Sequence, residues 1–379
     1  MDFRFNEEQE ELRASARAFL EEESSSEQVR SASESELGWD PELWGRLAGE
    51  LGWTAVQIPE AYGGLGLGYV ELVALLEIMG ERLLCAPFFS SICLGANALT
   101  LAGSEEQKTK WLPAIAEGEK RAALAHSGSR GMAGPEAVDL EAKRDGEDFI
   151  LTGRHALVVD GHSADLLVVA ARIAGTRGAE GIRLFALPDS CEGLGRNIRP
   201  TLDPTRRLAS LDFDSVRVGP EALLAGEDEA WPVLERCLQL GAIALAAEQV
   251  GGAQKCLEMS VAYALERVQF GRPIASFQAI KHKCADMMVE VESARSAVYY
   301  AACVASEGSE ELASSASLAK AYCSETYFRC AADAIQIHGG VGFTWEYDVH
   351  LHFKRARSSE SLLGEPAYHR ELIAQQIGL

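Results

Sequence analysis

The stretch Tyr263-Ala-Leu-Glu-Arg-Val-Gln-Phe-Gly-Arg-Pro-Ile274 ends one predicted helix and leads into the next. Upstream, from about Trp231, apolar residues recur at helical spacing, and Gly271 stops that pattern. A second amphipathic segment follows, so we expect Gln278 to lie about one helical turn from Arg267 across a tight connection. An arginine, an amide and an aromatic ring at such a junction can hold a pyrophosphate and stack an adenine. Taken alone, an arginine at a helix end is more often a solvated cap.

A second stretch, Gln336-Ile-His-Gly-Gly-Val-Gly-Phe343, lies about seventy residues downstream. It places Gln336 on the last turn of a predicted helix, and Gly339 and Gly340 where a backbone can approach a phosphate closely. Together the two stretches closely resemble the C-terminal signatures of acyl-CoA dehydrogenases. The resemblance runs from Phe5-Asn-Glu-Glu-Gln9 to the last helix, with a poorly matching middle.

The resemblance implies a set of cofactor contacts. In the family, the matching positions contact the adenosine diphosphate part of an FAD that belongs to a neighbouring subunit. In this sequence those positions are Arg267, Gln269, Phe270, Gln278, Gln336, Gly339 and Gly340.

Composition excludes several classes of function. The formal net charge of -22 over 379 residues argues against a nucleic-acid or anionic-membrane partner, because both attract clustered Lys and Arg. The nine cysteines form no Cys-x-x-Cys pair and mostly occupy apolar contexts, which is typical of buried thiols in a reducing compartment. No secretory signal, transit peptide or membrane span is expected, and no metal site is predicted. We therefore expect a cytoplasmic protein.

The periodicity of the apolar residues predicts three domains. Residues 1–118 form an N-terminal α-helical domain, 119–226 a middle β domain resembling a small antiparallel barrel or sandwich, and 227–379 a C-terminal four-helix bundle. The fold class is therefore α+β multidomain, which is also what the family resemblance implies. The Glu- and Ser-rich run from Glu21 to Glu36 predicts a mobile or loosely ordered connection.

The family's reaction requires a carboxylate base, and its usual positions are vacant. Leu363 aligns with the position of the common base, and a leucine cannot accept a proton. A minority of the family places the glutamate on the long helix before Arg267, but that position is Gly241 here. Glu365, two residues past Leu363, and Glu248, roughly 10 Å along the helix from Gly241, are the candidate substitutes, although a structural role is favoured for Glu248.

The flavin ring site also departs from the family pattern. Leu157 and Val159 replace the Trp and Thr that the family presents to the isoalloxazine ring. His126, Arg130 and His155 lie in the same matching segments. They are candidates to bind something else, but exposed loop residues without a ligand are the favoured interpretation.

The asymmetry between retained and vacant positions suggests half of a shared site. The chain resembles the non-catalytic subunits of actinobacterial steroid-degrading acyl-CoA dehydrogenases, in which a homologous catalytic subunit completes an α2β2 heterotetramer. That resemblance implies FAD, an acyl-CoA substrate that is bulky and steroid-derived, and an electron-transfer flavoprotein as acceptor. The open alternatives are a self-sufficient dehydrogenase with a relocated base, Glu365 or Glu248, and a flavin-free acyl-CoA-binding or scaffold protein.

Overall fold

The structure is a computed structural model that describes residues 6–128, 133–226 and 229–379. The chain divides into two compact units. One comprises Met1–Glu34, Tyr69–Cys85 and Ala242–Leu379, and the other comprises Ser35–Gly68 and Ala86–Gly241. The three-domain division made from the sequence stays a prediction.

The amino-terminal region is helical, as predicted. Its helices are α1 (Glu7–Glu23), α2 (Ser26–Glu34), α3 (Pro41–Gly49), α4 (Tyr69–Glu81), α5 (Asn97–Ala102) and α6 (Glu105–Ala116), with a π-helical segment at Phe89–Ala96. α1 begins with a capping box in which Asn6 and Gln9 satisfy each other's backbone N–H groups. Ser104 and Gln107 repeat the arrangement at the start of α6.

The prediction of a mobile connection from Glu21 to Glu36 is wrong, because the segment contains α2. Val29 is buried in a cluster with Leu83, Cys85 and Leu351. Ser24 Oγ also donates to the Arg82 carbonyl at 3.1 Å. Burial of Val29, with the partly buried Ala32 packed against the same cluster, helps to order this segment.

The middle region is an eight-stranded sheet. Its strands are β1 (Ala122–Ala125), β2 (Glu141–Asp145), β3 (Asp148–Val159), β4 (Leu166–Ile173), β5 (Ile182–Pro188), β6 (Leu194–Arg199), β7 (Leu208–Val218) and β8 (Leu223–Leu224). The order is β6-β7-β3-β2-β4-β5-β8, with β1 paired to β4. The expectation of purely antiparallel pairing is wrong, since β1 and β2 both pair parallel with β4.

The carboxyl-terminal region contains α7 (Ala230–Glu266), a hairpin of β9 (Val268–Gln269) and β10 (Arg272–Pro273), α8 (Gln278–Glu307), α9 (Leu312–His338), α10 (Asp348–Ser361) and α11 (Pro366–Gln376). The four predicted helices are confirmed. A fifth helix, α10, was not predicted, because its buried positions include the polar residues His352, Arg355 and Ser359. None of the described helices is long and apolar enough to cross a membrane.

Glycines let α4 and α7 pack closely within their unit. A Cβ on Gly80 would lie 2.0 Å from the Glu248 carbonyl oxygen, and one on Gly251 would lie 1.7 Å from the Glu77 carbonyl oxygen. Neither position can therefore accept a larger residue without separating the helices. Further along, α7 to α10 share one apolar core that includes Ala264 and Ile337, near the ends of α7 and α9.

Candidate functional site

A strained hairpin follows the end of α7. Gln269 pairs with Arg272, and the Arg267 carbonyl accepts a hydrogen bond from Ile274 N at 2.8 Å. The two residues at the tip, Phe270 and Gly271, have φ angles of +54° and +76°, the signs that a type I′ turn requires. Glycine adopts this conformation readily, whereas for phenylalanine the left-handed region costs about 1–2 kcal/mol.

Phe277 packs against the tip of the hairpin. The Phe270 ring meets Phe277 edge-on with centroids 6.1 Å apart, and the Arg272 guanidinium lies 4.3 Å from the Phe277 centroid. Phe270 nevertheless remains 91% exposed. Gln278 begins α8 directly after this cluster, and its amide lies 3.4 Å from the His282 ring. Folding of the chain thus presents a large aromatic ring to the exterior.

The end of α9 lies next to the end of α7. Tyr263 stacks on His338 with centroids 4.3 Å apart and an interplanar angle of 24°. α9 continues into an exposed turn in which a Cβ on Gly339 or Gly340 would meet no atom within 4 Å. Open space above consecutive glycines leaves the backbone accessible to a phosphate-sized group.

The seven residues predicted to contact the cofactor lie on this end of one compact unit, and all seven are exposed. We call them the exposed face: Arg267, Gln269, Phe270, Gln278, Gln336, Gly339 and Gly340. Within the described residues, the side chains of Arg267, Gln269 and Gln336 have no hydrogen-bond or ion-pair partner. The exposed face therefore offers one cation, two free amides and two open glycines, a donor set that fits a diphosphate.

The position of the family's base is a tight turn rather than a carboxylate. Leu363 and Gly364 have φ angles of +60° and +104°. The Leu363 carbonyl accepts a hydrogen bond from His369 Nε2 at 3.0 Å. Burial, followed by the positive charge of Lys320, lowers the pKa of His369 to about 4, so this imidazole is neutral at pH 7.

A buried lysine, Lys320, donates hydrogen bonds to the same turn. The Lys320 ammonium is fully buried and donates to Ser324 Oγ at 2.9 Å, to the Gly364 carbonyl at 2.9 Å and to the Glu360 carbonyl at 3.1 Å. Burial lowers the pKa of Lys320 to about 7. Sequence reasoning missed this residue. The available signal was a lysine placed within an apolar run of α9.

The two candidate substitute bases have different surroundings. Glu248 is 11% exposed at its side chain and lies 3.9 Å from the Arg355 guanidinium, so its charge is opposed by a cation. Glu365 is exposed at the start of α11 and caps no backbone N–H there. Gly241 is buried inside α7.

The flavin-ring candidates lie in the sheet. Leu157 is exposed beside a register shift in the β3–β7 ladder, and Val159 is buried in β3. Neither side chain carries a hydroxyl or an aromatic ring, so the residues present do not fit the ring contacts that the resemblance implies.

The histidines of this region are not the exposed loop residues that were expected. His155 is fully buried, with Nδ1 2.8 Å from the Ser127 carbonyl and Nε2 2.9 Å from the Ala170 carbonyl. Burial lowers its pKa and lowers the pKa of His126 to about 4. His155 is therefore a structural residue that lies between the Ser127 carbonyl, just after β1, and the Ala170 carbonyl of β4. Arg130 lies outside the described residues.

Known proteins resemble the chain over almost its whole length. The family described as acyl-CoA dehydrogenase, N-terminal domain, matches residues 6–119, and that described as acyl-CoA dehydrogenase, C-terminal domain, matches residues 228–378. Acyl-CoA dehydrogenase IpdE2 of Mycolicibacterium smegmatis is 35% identical over 361 residues, which are 95% of this chain and 96% of that protein.

Two solved structures share the fold. A chain of the ChsE4-ChsE5 complex from Mycobacterium tuberculosis has a TM-score of 0.90 at 28% identity, covering 100% of this chain and 99% of that chain. A chain of a variant of the Tcur3481-Tcur3483 steroid ACAD has a TM-score of 0.87 at 29% identity, covering 98% of each chain. The predicted order of helical, β and helical regions is thereby confirmed.

Proposed function

Because the chain belongs to the acyl-CoA dehydrogenase family, whose members are FAD-dependent oxidoreductases acting on a CH–CH bond, we propose that it is the non-catalytic chain type of a mixed oligomer. In this proposal it supplies contacts to the adenosine side of an FAD in a homologous catalytic subunit. That partner supplies the base. The assembly is an α2β2 heterotetramer.

The observation that carries the proposal is the unused binding capacity of the exposed face. Single exposed donors are common on protein surfaces, whereas a group of free donors beside a residue with a strained backbone favours a binding site. Here Arg267, Gln269 and Gln336 are free within the described residues, and Phe270 is both strained and uncovered. A diphosphate and an adenine brought by another subunit would use all four.

The roles of these residues follow from their chemistry. Arg267 pairs with the charge of a phosphate, the amides of Gln269 and Gln336 donate hydrogen bonds, and Phe270 offers an aromatic surface. Gly339 and Gly340 admit the phosphate to the backbone. FAD, when bound, supplies the hydride acceptor for α,β-dehydrogenation of the acyl-CoA.

The vacant base position supports a division of labour. Leu363 cannot remove an α-proton. Its turn is fixed by hydrogen bonds from Lys320 to the Gly364 carbonyl and from His369 to the Leu363 carbonyl.

We extend the proposal to the substrate: the similarity to a steroid ACAD favours a bulky, steroid-derived acyl-CoA. An electron-transfer flavoprotein is the proposed electron acceptor.

The test is co-purification with a homologous chain that carries a glutamate at either base position. We expect the chain alone to hold little FAD, and the pair to be yellow and active. Arg267→Ala in the pair should weaken FAD binding about ten- to a hundredfold, since a hydrogen bond to a charged group contributes about 1.5–3 kcal/mol. Arg177→Ala is the matched control, because Arg177 is also exposed and unpaired within the described residues.

Two outcomes contradict the proposal. Stoichiometric FAD and turnover by the chain alone would favour a self-sufficient enzyme, and Glu365→Gln and Glu248→Gln would then identify its base. Absence of the 450 nm flavin band even with the partner present would favour a flavin-free acyl-CoA-binding or scaffold role.

A further inference from the structure

A pocket of about 360 Å³ lies beside the exposed face, within the unit that contains it. The last turns of α7 and α9 and the start of α10 line it. Tyr263, His338 and Tyr347 contribute aromatic surface, with Tyr263 stacked on His338 and Tyr347 edge-on to His338 at 6.1 Å. Its volume lies at the lower end of the range for small-molecule sites.

Three carboxylates line the same pocket. Asp348 already forms an ion pair with Arg30 at 2.7 Å and accepts a hydrogen bond from Ser26 Oγ at 2.5 Å. Glu266 and Glu346 are exposed, and their side chains have no partner in the described part of the chain. Two negative charges therefore remain available to a ligand.

A buried histidine adds a neutral acceptor. His338 is 7% exposed, and its Nδ1 donates to the Ala334 carbonyl at 2.8 Å. Burial lowers the pKa of His338, so the ring is neutral at pH 7 and Nε2 carries a lone pair. That nitrogen has no partner among the described residues. The pocket thus combines aromatic faces, one imidazole acceptor and two unpaired carboxylates.

We propose that this pocket binds a guanidinium group. A guanidinium is planar and positively charged, carries only N–H donors, stacks on aromatic rings and pairs with carboxylates. Each property matches one feature of the lining. The diphosphate of a dinucleotide does not fit, because Glu266 and Glu346 would repel it. The pocket is therefore distinct from the contacts proposed for FAD on the exposed face.

The test uses the purified full chain and isothermal titration calorimetry with N-acetyl-arginine amide. The matched ligand control is N-acetyl-citrulline amide, which has the same shape without the charge. The variant Glu266→Gln/Glu346→Gln removes both free carboxylates at exposed positions, where the fold is insensitive to the change. Glu22→Gln, an exposed and unpaired glutamate of α1 that does not line the pocket, controls for loss of negative charge.

We expect saturable binding of the arginine probe, about tenfold weaker in the double variant because two exposed charge pairs are lost, and unchanged in the control variant. Equal binding of the citrulline probe, no saturable binding, or equal affinity in the double variant would overturn the proposal. Sedimentation of the chain with the probe distinguishes the sources: dissociation of an oligomer identifies an arginine of another polypeptide, and an unchanged oligomer identifies a free small cation.

Because the measurement needs neither flavin nor a catalytic partner, its failure leaves the proposed function intact. Conversely, a chain that binds its own FAD would contradict the proposed function and leave the guanidinium pocket standing.

Discussion

The exposed face and the Leu363 turn both lie in the compact unit that contains Ala242–Leu379, but their polar groups find partners in different ways. On the exposed face, Arg267 and Gln336 have no partner within the described residues. At the turn, all three protons of the Lys320 ammonium are donated, and the Leu363 carbonyl is bonded to His369. The free donors of the exposed face are hydrated and remain available to a ligand, whereas the buried polar groups of the turn are satisfied within the chain and act structurally.

Replacing Lys320 tests the structural half of this comparison most strongly. Lys320→Met leaves the Glu360 and Gly364 carbonyls without the donor that the lysine supplies in a buried site. We expect the free energy of unfolding to fall by about 3 kcal/mol, measured by urea denaturation. The control Lys281→Met, at an exposed position of α8, should stay within about 0.5 kcal/mol of the wild type. Equal effects of the two would show that the buried network contributes nothing.

Two glycines provide a matched pair across the comparison. Gly364→Ala places a Cβ 2.6 Å from the Tyr368 ring at a φ of +104°, whereas Gly340→Ala places one in open space. We expect the first to destabilise the chain by about 2–3 kcal/mol and the second to change stability by less than about 0.5 kcal/mol. Thermal denaturation of both variants checks this. In the mixed oligomer, Gly340→Ala should weaken FAD binding more than Gly364→Ala does.

Acid titration probes the turn through His369. Its pKa is about 4 in the folded chain and about 6.5 when unfolded, so the unfolded chain binds more protons between these values. The contribution of His369 to the free energy of unfolding is therefore complete above pH 6.5 and is lost as the pH falls towards 4. The loss amounts to about 2 kcal/mol between pH 7 and 4.5. The difference in unfolding free energy between the wild type and His369→Gln should shrink over that range. A constant difference would contradict the assignment.

The turn after α7 and the residues of the exposed face could be identified from the sequence. Gly271 and Pro273 predict the turn after α7, because their backbone preferences act within a few residues. The seven residues of the exposed face were grouped from the sequence, and the structure places all seven at exposed positions of one compact unit. Their contact with FAD stays a prediction.

The rest depends on contacts between distant residues. Lys320 resembles a helix-surface lysine until the Gly364 turn, forty-four residues away, is folded over it. α10 was missed because its buried stripe includes His352 and Arg355, which only tertiary partners make tolerable. The parallel pairing of β1 with β4 also depends on a non-local partner, which a four-residue run of Ala and Leu does not specify.

The smallest expected effect concerns Phe270, where the exposed face is strained. Phe270→Asn keeps the left-handed turn and replaces a residue that resists it by one that tolerates it. Since the Phe270 ring is 91% exposed and meets Phe277 only edge-on, little contact is lost, and we expect the isolated chain to become more stable by about 0.5–1 kcal/mol. FAD retention by the mixed oligomer should fall in the same variant. A gain in stability without that loss would show that the strain serves no binding function, and a loss of stability would show that the ring is held by the chain itself.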